Sequence, residues 1–151
     1  DILYMQDNLR ILSGLYGILK PLDSILPYRL EMGTKLEVNG NKNLYEFWGS
    51  KITKQLMSEC KEDDIIINLA SNEYSKVLDL KCFSNVVTPI FKDFKNGKSK
   101  VISFFAKKAR GSFARFVMTE KPKKIDDLIS FNGLGYQFSE INSKNEIIFS
   151  R

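Results

Sequence analysis

Apolar residues recur at helical spacing in two stretches of the N-terminal half of the chain. Four of them between Ile2 and Leu12 are separated by three or four residues, which predicts a helix that ends near Leu12. A second apolar stripe runs through residues 44–60 and predicts one amphipathic helix, with Asn43 as its N-cap. Glycine and proline between these stretches interrupt regular structure.

A continuous apolar run begins at residue 65, after three acidic residues. Residues 65–70 have the composition of a short β-strand that is buried on both faces. A short helical stretch is predicted to follow and to end near Leu80.

Two β-hairpins are predicted in the C-terminal half. Residues 86–94 and 100–105 flank Asn96-Gly97, the dipeptide most typical of a tight hairpin turn. Residues 136–140 and 146–150 form the second predicted hairpin.

Two further helices complete the predicted pattern, over residues 106–118 and 123–129. The chain has no internal repeat, low-complexity tract or linker composition. We therefore expect a single domain over residues 1–151, of mixed α/β class, with a mixed β-sheet and flanking helices.

The composition restricts the available chemistry. The chain has 151 residues and no apolar run long enough to span a bilayer, so no membrane association is expected. Histidine is absent, which excludes a Ser-His or Cys-His mechanism within the chain. We therefore expect neither a metal site nor a cofactor. Cys60 and Cys82 lack CxxC spacing and indicate unpaired thiols in a reducing cytoplasm.

Positive charge is concentrated in one part of the chain. The net charge is +5, yet residues 92–124 hold eleven basic and two acidic residues, a local charge of +9. This asymmetry is typical of a protein with a polyanionic partner, most often nucleic acid. A lysine-rich solvated surface is the alternative interpretation.

The predicted helix 106–118 places this charge on one face. With Lys107 at 0°, the glycine lies at about 40° and the other cations at about 80°, 100° and 300°. The members of this face are Lys107, Lys108, Arg110, Gly111 and Arg115. Because glycine costs a helix about 1 kcal/mol relative to alanine, we expect Gly111 to admit a close phosphate. In the alternative interpretation, it lets a neighbouring segment pack.

The segment around Gly14 and Gly17 is a second candidate anion-binding device. A helix, a tight glycine turn and an apolar segment can present free backbone N–H groups to a phosphate. Lys20 and Arg29 follow closely and are predicted to contribute to DNA binding.

An enzyme site is the competing hypothesis. Asn68 lies within the apolar run of the predicted strand, and polar residues follow where ligands bind in α/β folds. The candidate catalytic residues are Ser13, Tyr16, Tyr28, Glu31, Asn68, Ser71 and Glu73. We predict that four polar residues of these segments lie near one another: Arg29, Glu31, Asn68 and Glu73. Helix capping by Ser71 or Asn72 is the purely structural alternative.

Five motifs resemble the YaaA family of bacterial peroxide-stress proteins, in the family's order and over nearly the whole chain. They are LSGLYGILKPLDSILPYRLEMG, NLYEFWGSKIT, INLASNEY, KNGKSKVISFFAKKARGSFARF and FNGLGYQF. Family chains begin with a further section. Because this chain starts at Asp1, we expect it to be the C-terminal part of a longer protein.

The resemblance implies a cytoplasmic protein that protects bacteria against hydrogen peroxide and limits iron-linked DNA damage. It also implies a mixed α/β fold with a positively charged cleft, a helix-hairpin-helix-like element, and affinity for duplex and irregular DNA. The first motif is distantly similar to nucleoside- and base-processing domains, which keeps a nucleotide- or nucleobase-processing enzyme as the alternative. The sequence does not indicate an oligomeric state.

Overall fold

The computed structural model of the chain describes residues 2–95 and 97–151, which divide into two compact units. The first unit comprises the described residues up to Asp64 together with Ala70–Ser84. The second unit comprises Ile65–Leu69 and the described residues from Asn85 to Arg151. The expectation of a single domain over the whole chain stays a prediction.

Helices and a small hairpin build the first unit. Its elements are α1 (Ile2–Asn8), β1 (Ile11–Ser13), β2 (Gly17–Leu19), α2 (Leu44–Trp48), α3 (Lys51–Glu59) and α4 (Asn72–Ser75), with a 3₁₀ turn at Leu80–Cys82. β1 and β2 pair in antiparallel register, with Leu12 opposite Ile18. The long segment 20–43 between β2 and α2 contains one isolated bridge, from Val38 to Asn41.

A mixed β-sheet with flanking helices builds the second unit. Its elements are β3 (Ile65–Ile67), β4 (Asn85–Lys95), β5 (Lys98–Lys100), α5 (Ser103–Glu120), α6 (Ile125–Leu128), β6 (Gln137–Ile141) and β7 (Glu146–Ser150), with a 3₁₀ turn at Gly133–Gly135. The strand order is β3-β4-β7-β6, and β5 pairs with β4. β4 lies parallel to β3 and β7, whereas β5 and β6 are antiparallel to their partners. The predicted mixed α/β class is confirmed.

The first two predicted helices have different bounds in the structure. The first helix ends at Asn8, and Leu12 lies in β1, because the following turn folds this segment back into a hairpin. The predicted helix 44–60 is two helices. Gly49 has a φ of 49° and its N–H donates to the Tyr45 carbonyl, which ends α2 as a C-cap glycine does. The predicted N-cap is confirmed, since the Asn43 side chain accepts from the Glu46 N–H.

The predicted strand 65–70 is shorter than expected. It ends at Ile67, and its three residues are half-buried rather than fully buried. β4 is its neighbour in the sheet, so β3 is an edge strand.

The segment after the first predicted hairpin is helical, so the prediction of a strand over residues 100–105 is wrong beyond Lys100. The hairpin itself is confirmed by the pairing of β4 with β5, although Asn96 of its turn lies outside the described residues. α5 begins at Ser103 and extends the predicted helix by about a turn. The terminal hairpin is confirmed as β6 and β7.

The core of the first unit surrounds Met32, which belongs to the long segment 20–43. Met32 is fully buried and packs with Leu44, Ile52 and Val77. Trp48 packs against this cluster, and its indole N–H donates to the Gly14 carbonyl over 3.0 Å. The helices and the irregular segment therefore share one core.

Aromatic rings fill the core of the second unit. Phe91 on β4 lies between 5.2 and 5.9 Å from the ring centroids of Phe113, Phe131, Tyr136 and Phe149. Three of these pairs are edge-to-face and the pair with Phe149 is stacked, and each adds about 0.5–1.5 kcal/mol to the burial of the rings. Because Phe113 belongs to α5, these contacts fix the long helix against the sheet.

No helix within the described ranges 2–95 and 97–151 is both long enough and apolar enough to cross a membrane.

Gly17→Ala and Gly40→Ala form a matched pair. The two glycines have φ values of 77° and 80°, so alanine at either position should cost roughly 1–2 kcal/mol of strain. A Cβ at Gly17 would also lie 2.9 Å from the Trp48 ring, whereas one at Gly40 meets no described atom within 4 Å. We expect Gly17→Ala to lose about 1–3 kcal/mol more by urea unfolding. Equal losses would contradict the packing of Gly17 on Trp48.

Candidate nucleic-acid interface

α5 presents a basic face to solvent and an apolar face to the core. Lys107, Lys108, Gly111 and Arg115 are all exposed. The residues buried on the other side are Ala106, Ala109, Phe113 and Val117. The predicted division of this helix into a basic and a packed face is confirmed.

Two residues mark the limits of this basic face. Arg110 is half-buried, and burial lowers the pKa of its guanidinium group, which nevertheless stays protonated. Met118 lies at about 20° on the helix yet is buried, so the face ends before the last turn of α5. We define the basic face of α5 as Lys107, Lys108, Gly111 and Arg115.

Gly111 has open space in front of its Cα atom. Apart from its chain neighbours and the backbone of its own helix, a Cβ atom built there meets no described atom within 4 Å. The alternative that this glycine admits a neighbouring segment of the chain thus finds no such neighbour among the described residues. Gly133, in contrast, would place a Cβ 2.7 Å from the Phe131 ring.

Lys20 takes part in an ion pair within the first unit. Its Nζ lies 3.3 Å from a Glu59 carboxylate oxygen, which Arg10 also contacts at 2.5 Å. A hydrogen bond from Gln55, together with those from Arg10 and Lys20, lowers the pKa of Glu59 to about 2. Lys20 therefore forms an ion pair within the fold, and its contact with DNA stays a prediction. Arg29 is exposed on segment 20–43.

The glycine turn at the end of β1 joins two strands rather than two helices. The Tyr16 N–H donates to the Ser13 hydroxyl over 2.9 Å and is not free for an anion. A Cβ at Gly14 would lie 2.6 Å from the Leu30 carbonyl oxygen, so the main chain of segment 20–43 passes close to this glycine. Close packing within the fold therefore accounts for glycine at both positions of the turn, Gly14 and Gly17.

Three of the candidate catalytic residues form one hydrogen-bonded cluster at this turn. Ser13 is 1% exposed, and its hydroxyl lies 2.5 Å from the Tyr28 hydroxyl. The Tyr16 and Tyr28 rings meet edge-to-face at 5.4 Å, and the Tyr16 hydroxyl accepts from the Leu26 N–H. These contacts connect segment 20–43 to the hairpin, and a catalytic role for these three residues stays a prediction.

The two candidate carboxylates, Glu31 and Glu73, each accept a hydrogen bond within the first unit. The Tyr74 hydroxyl donates to Glu31 over 2.9 Å, while Glu73 accepts from the Gly33 N–H over 2.9 Å. Burial and the Glu31 hydrogen bond raise the pKa of Tyr74 to about 12. Burial, and secondarily Glu73, raises the pKa of Tyr45, whose hydroxyl donates to the Glu73 carbonyl.

The other two candidate catalytic residues, Asn68 and Ser71, belong to different units of the chain. Ser71 occupies the N-cap position of α4 but makes no side-chain capping hydrogen bond. Asn68 belongs to the second unit, where its N–H donates to the Val87 carbonyl and its side chain lies 3.5 Å from the Thr88 hydroxyl. A pocket shared by Arg29, Glu31, Asn68 and Glu73 stays a prediction, as does an enzymatic reaction.

No group of three or more Cys, Asp or Glu side chains suited to a metal ion is found in the part of the chain that the structure describes.

Comparison with known proteins identifies the family. A family described as "Peroxide stress protein YaaA" matches residues 1–142. The chain belongs to the YaaA family. The resemblance noted from the five motifs is thereby confirmed.

Curated relatives of this YaaA-family chain carry the name UPF0246 protein. The relative from Flavobacterium johnsoniae is 54% identical over 149 residues, which cover 97% of this chain and 59% of the relative. Those from Idiomarina loihiensis and Shewanella denitrificans are 52% and 59% identical, over 97% and 91% of this chain and 58% and 55% of their own lengths. The chain thus spans less than two thirds of the length of these relatives.

One exposed residue of the YaaA-family chain was missed by sequence reasoning. Phe104 lies in the first turn of α5 and is 62% exposed. On the angular scale that puts Lys107 at 0°, it falls at about 60°, within the basic face. The helical position of Phe104 could have been derived from the sequence, but residues 100–105 were predicted to form a strand instead of the start of the helix.

Tyr74→Phe tests the contact that holds Glu31. Removing the hydroxyl should lower the free energy of unfolding by about 1 kcal/mol at neutral pH. The contribution needs a protonated Tyr74, whose pKa is raised from 10.0 to about 12, so it should be full below pH 10 and fade as pH rises through 12. Urea unfolding of both proteins over this range measures the difference. A difference that stays constant to pH 12 would contradict donation to Glu31.

Proposed function

We propose that this YaaA-family chain is part of a cytoplasmic peroxide-stress protein that binds DNA without sequence preference and helps limit iron-linked DNA damage. The basic face of α5 makes the central contact. Arg110 at the border of this face, and Lys20 and Arg29 in the first unit, contribute positive charge. Family membership supports the peroxide-stress part of the proposal.

The single observation that carries DNA binding is the unobstructed glycine in the basic face of α5. Lys107, Lys108 and Arg115 lie on the same face as Gly111, and apart from its chain neighbours and the backbone of its own helix no described atom lies within 4 Å of where its Cβ would be. A phosphate oxygen can therefore approach the helix backbone closely while the cations neutralise it. Contacts of this kind position a protein on DNA without reading its sequence.

The link to iron follows from the counterions of DNA. A protein that neutralises phosphates releases the cations condensed on them. Ferrous iron held there generates hydroxyl radicals next to the DNA when it meets hydrogen peroxide. Displacement of such cations by the basic face lowers radical formation at the backbone.

The cytoplasmic location is supported by the thiols. Cys60 and Cys82 are both free in the structure. Free thiols are typical of a reducing compartment, which is where bacterial DNA lies.

Arg115→Gln is the first test of the proposed DNA contact. We expect it to weaken duplex binding and to reduce the slope of log K against log salt by about 0.9, the value for one phosphate contact. Fluorescence anisotropy with a labelled duplex over a salt series measures both quantities. Lys54→Gln, an exposed cation on α3, is the matched control and should change neither.

Two outcomes would count against the proposal. One is binding that does not depend on salt, or no binding at low salt. The other is an equal effect of Arg115→Gln and Lys54→Gln, which would make total charge, rather than the face of α5, responsible.

Gly111→Ala separates DNA binding from folding. The added methyl group meets no described atom, so the change should stabilise α5 by up to about 1 kcal/mol through helix propensity. The same methyl group should hinder a phosphate, so DNA affinity should fall while the melting temperature stays level or rises. Lower stability with unchanged DNA affinity would instead assign the glycine to packing.

A further inference from the structure

β3 has the composition of a central strand but lies at an edge of the sheet. It consists of three consecutive isoleucines, a run typical of a parallel strand that is covered on both faces. It pairs with β4 in parallel register, with Ile66 opposite Val86. No other strand in the described part of the chain occupies its second edge.

The burial of β3 differs from that of an ordinary edge strand. All three residues are half-buried, and exposure does not alternate between a wet and a dry face. β7, which has a strand on each side, contains three consecutive buried residues, Ile147, Ile148 and Phe149. β3 is therefore similar to β7 in having both faces covered, but it has one neighbouring strand fewer.

The other edges of the sheet carry features that prevent further pairing. β6 is exposed along its whole length, contains Gln137, Ser139 and Glu140, and pairs with β7 through a shift in register. β5 is exposed and carries Lys98 and Lys100. Charges and bulges of this kind keep edge strands from pairing with other chains. β3 is short but contains neither a charge nor a bulge.

The backbone of β3 directs hydrogen-bonding groups toward its second edge. Just beyond the strand, the Asn68 N–H donates to the Val87 carbonyl of β4. Residues of a strand alternate in the direction of their N–H and carbonyl groups, so those of Ile65 and Ile67 point away from β4. A strand at this edge offers partners to both residues.

We propose that β3 is the docking edge for one further β-strand, which comes from the part of YaaA-family proteins outside the region that matches this chain. The relatives match 91–97% of this chain, yet about two fifths of each relative lies outside the match. That part belongs to the same polypeptide as the matched part. This pairing does not depend on the proposed DNA binding.

A second copy of the chain fits this edge less well. Two strands of three residues bury far less than the roughly 1,000 Å² expected of a specific interface between separate proteins. A strand of the same polypeptide needs no such area, because covalent linkage gives it a high effective concentration and its docking loses less freedom of motion. An edge of three residues therefore suits a strand of the same molecule.

Hydrogen exchange at single amides tests the pairing. In a hybrid, the unmatched part of the Flavobacterium johnsoniae relative is joined to this chain as it is joined in the relative. NMR of the ¹⁵N-labelled chain and hybrid then gives the exchange rates of Ile66, whose amide points toward β4, and Ile67. We expect the ratio of the Ile67 rate to the Ile66 rate to fall at least about tenfold in the hybrid. General stabilisation slows Ile66 and raises this ratio, so only a new partner of Ile67 lowers it.

Ile67→Pro and Ile67→Val form a matched pair in the hybrid. Proline removes the amide that points away from β4 and is tolerated at such an edge position, whereas valine keeps the amide and an apolar side chain. Ile67→Pro should return the Ile65 amide to about its exchange rate in the chain alone. Ile67→Val should leave that rate within about threefold of the hybrid value. The signals of Ile147 and Phe149 report whether the sheet stays folded.

The relative itself provides a second comparison with native junctions. Its full-length form and its matched part alone are measured at the positions aligned with Ile66 and Ile67, and the same fall in the ratio is expected. This comparison decides the outcome should the hybrid fail to fold.

Three results would overturn the inference. One is an unchanged ratio in the folded hybrid or, should the hybrid not fold, in the full-length relative, since the unmatched part then docks elsewhere. Another is slow exchange of Ile67 in the chain alone that becomes slower with concentration, which would make a second copy the occupant. The third is a folded Ile67→Pro hybrid in which Ile65 stays as slow as in Ile67→Val.

Discussion

The packing of Phe113 into the aromatic core of the second unit determines which face of α5 meets solvent. Phe113 is fully buried, with its ring centroid 5.9 Å from that of Phe91, 5.0 Å from Phe131 and 5.5 Å from Phe149. Because Phe113 lies at about 240° on the helix, the residues between about 0° and 100° point away from the core over the part of α5 that precedes its last turn. Phe104 and the members of the basic face of α5 all fall in that arc, so their exposure follows from this one anchoring ring.

A buried polar network supports the same core further along β4, where Asp93 lies on the same face of the strand as Phe91. Asp93 is buried and accepts a hydrogen bond from the Tyr136 hydroxyl over 2.8 Å and from the Arg151 side chain over 2.7 Å. Burial and the hydrogen bond to Asp93 raise the pKa of Tyr136 to about 12, so the Tyr136 hydroxyl stays a donor at neutral pH. A buried carboxylate without such partners would be strongly destabilising. The network therefore allows a charged residue to share the buried face of β4 with apolar residues such as Phe91.

The spacing of apolar residues predicted the regular elements, because it follows from how they pack. It did not predict features that depend on one backbone conformation or on residues far apart in the sequence. The faces of α5 could be derived from the sequence because a regular helix repeats its core contacts. The break at Gly49 depends on one positive φ value. The helix begins at Ser103 against the β-prone composition of residues 101–105, which local propensity does not predict. Tyr74 and Glu31 are 43 residues apart, so no local pattern could pair them. The hydrogen bonds that occupy Ser13 and Tyr28 were missed for the same reason.

An NMR titration of the ¹⁵N-labelled chain with duplex DNA at low salt tests the central claim most directly, because it follows the backbone amides along the whole chain at once. The account predicts that the largest amide shift changes occur at Lys107, Lys108, Gly111 and Arg115, and that they disappear as salt is added. Saturable binding that leaves the amides of α5 unchanged would contradict it and would place the contact elsewhere on the chain.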